Sequence, residues 1–182
     1  MPRSLSKVVL LVDGYNVIGS WSFLKETRDQ HGLEAARQEL LEALINYSAF
    51  RGYKTDVVFD AQYQNTPTYQ EALTTNLSVC YTNFGQTADS FIEKFCASFP
   101  YRSSPKSKRL IVATSDRAQQ LTVVGYGAEW MSAQQLASDV KFTAQRTRRQ
   151  HRPQKQSSSR FLFNSLDANA QQRLAQWRKG LK

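Results

Sequence analysis

Apolar runs that end in aspartate recur along the chain, and they predict buried strands of a parallel sheet. Three of them occupy residues 8–13, 57–60 and 110–116. Short β-branched runs of this kind are typical of strands that are covered on both faces. A further strand is predicted at about 77–81 and a short one near 128–130. The fold class expected from this pattern is α/β, with an open and mainly parallel sheet.

Apolar positions at helical spacing predict the elements that cover this sheet. The predicted helices lie at about 33–50, 88–99, 116–123, 132–148 and 165–178. Gly52 is expected to end the first of them, and Ser132 is expected to cap the fourth. The segments 13–32 and 61–76 are expected to be loops, the second with a short helix near 68–73.

Length, hydropathy and cysteine content set the broad class. The 182 residues suffice for one domain with a sizeable core. No apolar run approaches the length needed to span a bilayer, and no secretory signal is visible before the first strand. Cys80 and Cys96 are expected to be reduced core residues, and the few His and Cys lack the spacing of a zinc site. We therefore expect a cytoplasmic protein with no membrane partner, whose oligomeric state the sequence leaves open.

Charge is divided unequally along the chain. The net charge is +9, but residues 1–100 hold 8 Lys/Arg against 11 Asp/Glu, a balance of −3. Residues 101–182 hold 16 against 4, a balance of +12, and seven of these cations lie between Lys141 and Arg160, where there is no acid. A basic surface that holds a polyanion near an acidic site would explain this division. The alternative is a solvated basic tail without a partner.

Carboxylates stand where a parallel sheet binds its ligands. Asp13, Asp60 and Asp116 end three of the apolar runs, and the carboxyl ends of parallel strands form the ligand crevice of an open α/β sheet. Asp89 opens the predicted helix at 88–99. Carboxylates placed together repel one another unless a cation lies between them, and a hard divalent metal is the usual cation. The residues therefore predict a metal-dependent acidic site.

These acids also have structural explanations. Asp13 begins an Asp-Gly-Tyr-Asn sequence of ordinary turn residues, and Asp60 suits a loop or a helix cap. Asp89 would be favoured in a first helical turn by the helix dipole, with Thr87 as the N-cap. Ser115 would cap the next helix, although hydroxyls at a helix start also bind phosphate.

Several other chemistries lack their motifs. The chain has neither a phosphate loop ending in Gly-Lys-Ser/Thr nor a Gly-rich dinucleotide fingerprint. Its two histidines, His31 and His151, lie in unrelated elements, which disfavours a catalytic triad or a histidine-pair ribonuclease. An aspartyl phosphatase of the haloacid dehalogenase type would need an aspartate where this chain has Tyr15.

Four sequence motifs taken together resemble a known nuclease family. They are Leu-Val-Asp-Gly-Tyr-Asn-Val-Ile at 11–18, Val-Phe-Asp-Ala at 58–61, Thr-Ala-Asp at 87–89 with Glu93, and Val-Ala-Thr-Ser-Asp at 112–116. In this order they resemble the NYN-domain branch of the PIN-like nucleases, and more narrowly the small bacterial ribosome-associated endoribonucleases. The similarity runs from about residue 7 to 148, and the Trp-Arg-Lys-Gly at 177–180 is similar to that group's C-terminal end.

The resemblance implies a fold, a cofactor and a substrate. The fold would be a three-layer α/β/α PIN-like (NYN) domain over residues 1–148, followed by a basic C-terminal extension over residues 149–182 with a short terminal helix. An acidic pocket would bind Mg²⁺ or Mn²⁺ and cleave single-stranded RNA, which in the narrower group is mRNA within a translating ribosome. The key acids of the family carry over to Asp13 and Asp89, and its motif asparagine carries over to Asn16.

The nuclease hypothesis gives each residue a role. The metal ligands would be Asp13, Asp89 and Asp116, some of them through water. Asp60 would complete the cluster or orient a metal-bound water. Phosphate oxygens or ligand waters would be positioned by Asn16, Thr114 and Ser115. The RNA backbone would be held by Lys106, Lys108, Arg109, Arg146, Arg148 and Arg149. Tyr15 or Trp21 would stack on unpaired bases or, alternatively, pack in the core.

Two other functions remain open from the sequence. One is a non-catalytic module that binds RNA or the ribosome, in which the acidic pocket is vestigial or structural. The other is a small-molecule phosphohydrolase on the same fold, although the strongly basic second part of the chain has little use for a small substrate.

Overall fold

The computed structural model describes residues 7–61, 69–102 and 108–150. The chain forms two compact units, Met1–Arg146 and Thr147–Lys182, and the sheet and the acids lie in the first. The predicted helix at 165–178 lies outside the described residues, and the predicted domain boundary after residue 148 stays a prediction. None of the helices within the described ranges is long and apolar enough to cross a membrane.

Six strands form one sheet in the order β3-β4-β2-β1-β5-β6. They are β1 Lys7–Asp13, β2 Lys54–Phe59, β3 Tyr69–Ala72, β4 Leu77–Tyr81, β5 Lys108–Ala113 and β6 Glu129–Met131. Every neighbouring pair is parallel except β3 and β4. The first strand of the chain is therefore a central strand, with β2 on one side and β5 on the other.

Helices cover both faces of this sheet. They are α1 Gly14–Ser20, α2 Ser22–His31, α3 Leu33–Arg51, α4 Ala88–Arg102, α5 Arg117–Gly125 and α6 Ala133–Gln150. Successive residues of a strand point to opposite faces, so Leu10 and Val12 join the core formed with α1, α2, α3 and α6. Leu11 joins the second core, with residues of α4 and α5. This arrangement confirms the predicted α/β class with three layers.

Two segments differ from their prediction. The expected loop at 13–32 contains α1 and α2, whose buried residues Val17, Ile18 and Leu24 pack into the core. Neither helix gives a long apolar stripe in the sequence, because α1 has only seven residues and the buried residue of α2 is Leu24 alone. The short helix expected near 68–73 is the strand β3, whose side chains are all exposed. Its pairing with β4 determines this conformation and has no local signal.

Two glycines show why the chain turns where it does. Gly52 ends α3 with φ of 66°, the left-handed conformation that the sequence predicted for this cap. Gly14 follows Asp13 directly, and a Cβ at this position would lie 2.3 Å from Cε1 of Phe59. The glycine therefore lets α1 begin in close contact with the end of β2.

The parallel strands end at one common edge, which we call the carboxyl edge. The chain passes from β1 to β2 on one side and later returns to β5 on the other. A reversal of this kind leaves a crevice beyond the carboxyl ends of the central strands. Asp13, the last residue of β1, lies at this edge, and the segments that follow β2 and β5 begin there and contain Asp60 and Asp116.

Candidate active site at the carboxyl edge

Asp13 is the buried acid of the site. It is the last residue of β1, and only 6% of its surface is exposed. Its Oδ1 accepts a hydrogen bond of 3.2 Å from the backbone N–H of Asn16 and so caps α1. The carboxylate therefore has a local structural role and also lies at the end of a central strand, as the sequence predicted.

Asp116 is the N-cap of α5. Its Oδ1 accepts hydrogen bonds from the backbone N–H groups of Ala118, at 2.8 Å, and Gln119, at 3.0 Å. Thr114 Oγ1 accepts from the N–H of Asp116 itself, at 3.1 Å. The cap predicted as an alternative role for Ser115 belongs to Asp116 instead. The Ser115 hydroxyl instead contacts the start of α6, where it accepts a hydrogen bond from the Ala133 N–H at 3.1 Å.

Asp89 lies in the first turn of α4, and Thr87 caps that helix as predicted by accepting from the Ser90 N–H at 3.2 Å. The Asp89 carboxylate is bound by the side chain of Gln119, whose Nε2 donates to Oδ1 at 2.6 Å. Asp60 follows β2 and is half-buried. One turn along α4, Glu93 accepts a hydrogen bond of 3.2 Å from the Tyr126 hydroxyl.

The four aspartates act on one another electrostatically. The pKa of Asp13 is raised from 3.8 to about 6; burial is the largest cause, the Asn16 N–H lowers the pKa, and repulsion from Asp89, Asp116 and Asp60 contributes to the increase. Burial also raises the pKa of Asp89, with repulsion from Asp116 and Asp60 acting in the same direction. The structure thus brings the four predicted acids to one edge, close enough for Asp13 to feel the charges of the other three.

The donor set of this edge suits a hard cation. Carboxylates and amide oxygens are the ligands that Mg²⁺ prefers, and Mg²⁺ usually keeps several waters while binding one or two carboxylates directly. Within the described ranges, no three acidic, histidine or cysteine side chains form a complete ligand cluster. A cation held here would therefore be bound partly through water, and the ligand set of Asp13, Asp89 and Asp116 stays a prediction.

The polar groups predicted to bind phosphate hold the edge together. Asn16 Oδ1 accepts from the backbone N–H of Ser115 at 2.7 Å, which joins the segments that follow β1 and β5. The buried Thr114 carbonyl accepts from Trp130 Nε1 at 2.8 Å. Ser115 also donates to Gln134 Oε1 at 3.0 Å. All three predicted residues lie at the carboxyl edge, and their contacts fix its shape.

The predicted RNA-binding cations of β5 do not lie at this edge. Arg109 is at the amino end of β5, where it makes two hydrogen bonds of 2.6 Å to Glu129. It is five positions from Thr114 along an extended chain, which is roughly 16 Å. Lys108 precedes it at the same end. Lys108 and Arg109 thus lie away from the acids, because a parallel strand sends its first and last residues to opposite edges, and their role in holding the RNA backbone stays a prediction. Lys106 lies outside the described residues.

Arg146 of α6 is also far from the acids along its helix. Gln134, at the start of this helix, contacts Ser115. Arg146 is twelve residues further on, roughly 18 Å along the helix axis, and its guanidinium lies over the Phe142 ring at 5.5 Å. Arg148 and Arg149 belong to the other unit, and their side chains are exposed. The role of the three arginines in binding RNA stays a prediction.

A cation that the sequence reasoning missed does lie at the carboxyl edge. Arg37 of α3 donates from Nη1 to the Tyr15 hydroxyl at 3.2 Å, pairs with Glu34, and lies 5.9 Å from the centre of the Phe59 ring. Glu34 and Arg37 are three residues apart on a helix, so from the sequence they look like an ordinary surface pair. Only the tertiary fold places this arginine beside Tyr15 and Phe59, close in sequence to Asp13 and Asp60.

Trp21 belongs to the core. It is 3% exposed, and its Nε1 donates to the Ala133 carbonyl at 2.7 Å. The core-packing alternative is therefore confirmed for Trp21, which cannot stack on RNA. Tyr15 is half-buried, with its ring centre 5.1 Å from that of Phe59.

A mainly parallel α/β sheet with aspartates at its carboxyl edge and helices on both faces is the architecture predicted for the PIN-like nuclease class, to which NYN domains belong. Within that class, the chain belongs to the YacP-like NYN domain family, which matches residues 10–179. The family predicted from the sequence motifs is thereby confirmed.

Similar proteins are known from Bacillus subtilis. The chain is 34% identical over 146 residues to the uncharacterized protein YacP of strain 168, covering 79% of this chain and 81% of the relative. The crystal structure of Rae1 (YacP) matches with a TM-score of 0.66 and 30% identity, over 94% of this chain and 95% of that chain. The crystal structure of a tryptophan-to-leucine mutant of Rae1 matches with a TM-score of 0.65 and 28% identity, over 92% and 98%.

Proposed function

We propose that the protein is a metal-dependent endoribonuclease that cleaves single-stranded RNA, and that its substrate is mRNA on the ribosome in the cytoplasm. The observation that carries the proposal is the meeting of four aspartates at the carboxyl edge, where three of them raise the pKa of the buried Asp13. Such an anionic cluster is costly for a protein that only binds RNA, because it repels the phosphate backbone. It is useful where a divalent cation takes part in phosphodiester cleavage.

The residues divide the work of the reaction. The carboxylates of Asp13, Asp89 and Asp116 would hold Mg²⁺ or Mn²⁺, whose bound form lowers the pKa of a water and neutralises charge on the scissile phosphate. Asp60, half-buried at the end of β2, would accept a proton or a hydrogen bond from the attacking water. The hydrogen bond between Asn16 and Ser115 keeps the ends of β1 and β5 together. The acids at or just after the ends of these two strands would therefore act at the same phosphate.

The remaining cations would act on the RNA strand away from the scissile phosphate. The second part of the chain carries a balance of +12, which supplies attraction for a polyanion over a length greater than one nucleotide. Arg146, Arg148 and Arg149 are exposed on α6, and we assign them to backbone contacts with RNA of the substrate or of the ribosome.

Cleavage of end-labelled single-stranded RNA tests the proposal. The wild-type chain, Asp13→Asn and Asp89→Asn are compared with Mg²⁺, Mn²⁺ and EDTA, first alone and then with translating ribosomes. We expect cleavage that requires the metal and that falls on the order of 100-fold or more in both variants. Asp29→Asn is the matched control, because Asp29 is an exposed acid on α2 paired with Arg28. Cleavage that survives EDTA would refute the metal-dependent mechanism.

A non-catalytic RNA- or ribosome-binding module is the second candidate. It is favoured by the caps that Asp13 and Asp116 provide for α1 and α5, since such capping gives these two acids a use without chemistry. Salt-dependent RNA binding with no cleavage, in either setting and at any metal concentration, would establish it.

A further inference from the structure

A half-buried arginine stands beside the acidic edge in a cradle of aromatic rings. The Arg37 guanidinium contacts the Tyr15 hydroxyl and lies over the Phe59 ring. The Phe59 ring in turn packs against Tyr15, with centroids 5.1 Å apart, and against Tyr81, at 5.9 Å. We propose that Arg37, held by this cradle, binds a phosphodiester group of the RNA strand next to the one that is cleaved. The inference rests on the proposed function, because it takes RNA as the ligand.

The backbone positions of the cradle place it next to the aspartates. Phe59 is the last residue of β2 and immediately precedes Asp60. Tyr15 is the second residue after Asp13, and Tyr81 is the last residue of β4. Since β4, β2 and β1 are parallel neighbours, these residues lie along one stretch of the carboxyl edge. A strand of RNA that reaches Asp13 and extends towards β4 would pass Arg37.

The donors of the guanidinium are only partly used. Arginine presents five N–H groups in a planar fork that suits the oxygens of a phosphate. One terminal nitrogen of Arg37 binds Tyr15 and the other binds Glu34. Its Nε is buried and has no hydrogen-bond partner in the described part of the chain. A partly desolvated cation with an unused donor is costly to keep, which favours a role in binding an anion.

In the free protein, the Glu34 carboxylate occupies the place on Arg37 that the RNA phosphate would take. Its side chain is 77% exposed, whereas that of Arg37 is 21% exposed. An ion pair with one partner in water contributes little to stability. Displacement of this carboxylate by a phosphate therefore costs little free energy. The phosphate then binds a guanidinium whose position the rings already fix.

Electrostatics at the edge favours a phosphate over other ligands for this arginine. Four aspartates repel an approaching RNA backbone, and a fixed cation beside them offsets that repulsion at one place along the strand. The rings of Tyr15 and Tyr81 are both partly exposed, so an unpaired base next to the bound phosphate has an aromatic face within reach. The acidic cluster and the arginine would thus hold neighbouring phosphates.

Binding measured without cleavage tests this inference. The full-length chain is titrated into a fluorescent single-stranded RNA of mixed sequence in EDTA, over a series of salt concentrations. We expect Arg37→Gln to weaken binding by roughly tenfold at low salt, for every sequence tried, and to reduce the slope of log affinity against log salt by about one. Arg37→Lys should restore the slope but only part of the affinity, because lysine lacks the planar fork.

Matched variants on α2 control for charge and folding. Arg28→Gln removes an arginine that is also paired with an acid, Asp29, and it should leave affinity within about twofold of wild type. Glu34→Gln removes the competing carboxylate and should tighten binding several-fold, by more than Asp29→Asn, which changes the charge equally. The thermal unfolding temperature is recorded for each variant.

The outcomes separate this inference from the proposed function. Equal affinity of Arg37→Gln and Arg28→Gln overturns it, and so does an equal effect of Glu34→Gln and Asp29→Asn. If Arg37→Gln does not fold, the comparison of Glu34→Gln with Asp29→Asn decides alone. RNA cleavage without any dependence of binding on Arg37 would refute the phosphate site and leave the nuclease. Binding that depends on Arg37 without cleavage would do the reverse.

Discussion

Gln119 and Asp89 are joined across two helices by a hydrogen bond of 2.6 Å, from the side-chain amide of one to the carboxylate of the other. The backbone N–H of the same Gln119 donates to Asp116. One residue of α5 therefore contacts two of the four acids. Its amide oxygen is buried and has no partner among the described residues, and the side chain lines a cavity of about 130 Å³ between α4 and α5.

Replacing Gln119 should disturb Asp89 more than it disturbs the fold. The hydrogen bond lowers the pKa of Asp89 against the effect of burial, so Gln119→Leu should move the acidic limb of the pH–rate profile to higher pH. Cleavage at neutral pH should fall by about tenfold, the value of one hydrogen bond to a charged group. The neighbouring Gln120→Leu serves as the control. Identical profiles for the two variants would show that Gln119 does not act through Asp89.

The raised pKa of Asp13 predicts an unusual dependence of stability on pH. Because its pKa is about 6 in the folded chain and 3.8 ordinarily, the folded state binds this proton more tightly than the unfolded state does. This group therefore lowers the free energy of unfolding as pH rises from about 4 to about 6, by about 3 kcal/mol, and has no further effect above that range.

Urea unfolding of wild type and Asp13→Asn over this pH range measures the effect. Asparagine caps a helix about as well as aspartate does, so the variant should lose the decline while keeping α1. It should be more stable than wild type at pH 7 and about equal to it near pH 4. Parallel curves for the two proteins would mean that Asp13 titrates normally.

Divalent cations should offset part of the decrease in the free energy of unfolding that the charged form of Asp13 causes. A cation that binds the aspartates of the folded state stabilises it by about 2.7 kcal/mol at a hundred times its dissociation constant. Mg²⁺ or Mn²⁺ should therefore raise the unfolding temperature of wild type at pH 7, with a much smaller shift for Asp13→Asn and for Asp89→Asn. The readout needs no RNA. A shift of equal size in all three proteins would place the bound ion elsewhere.

The contact of Gly14 with Phe59 predicts a large effect from one methyl group. Gly14→Ala would bring a Cβ to 2.3 Å from the ring, and forcing atoms into a packed core costs about 1–3 kcal/mol. In the same helix, Gly19 has nothing within 4 Å of its own Cβ position, so Gly19→Ala should leave stability unchanged or raise it by up to about 1 kcal/mol. Denaturant unfolding should show a loss of stability for Gly14→Ala and no loss for Gly19→Ala.

The sequence predicted the elements that carry strong local signals. The apolar runs of β1, β2 and β5 give the sheet, and the positions of Asp13, Asp60 and Asp116 at their ends follow from the geometry of parallel strands. The capping hydroxyls at Thr87 and Ser132 were also predictable from position, because the structure shows both accepting from the first turn of a helix.

What the sequence missed depends on contacts between distant segments. Nothing local marks Gln119 as the partner of Asp89 or Arg37 as a neighbour of Phe59, since each pair comes from different elements. The distance of Arg109 from the acids is of another kind. The rule that sends Asp116 to the carboxyl edge sends Arg109, at the start of the same strand, to the amino edge, so this signal was present in the sequence.

The central position of β1 has a consequence for how the protein is made. This strand is synthesised first, yet its partner β5 is paired with it across about 100 residues of chain. A nascent chain therefore holds Asp13 long before Asp116 has emerged to join it. No complete acidic edge exists until most of the domain has left the ribosome, so a chain released early would lack part of the proposed site.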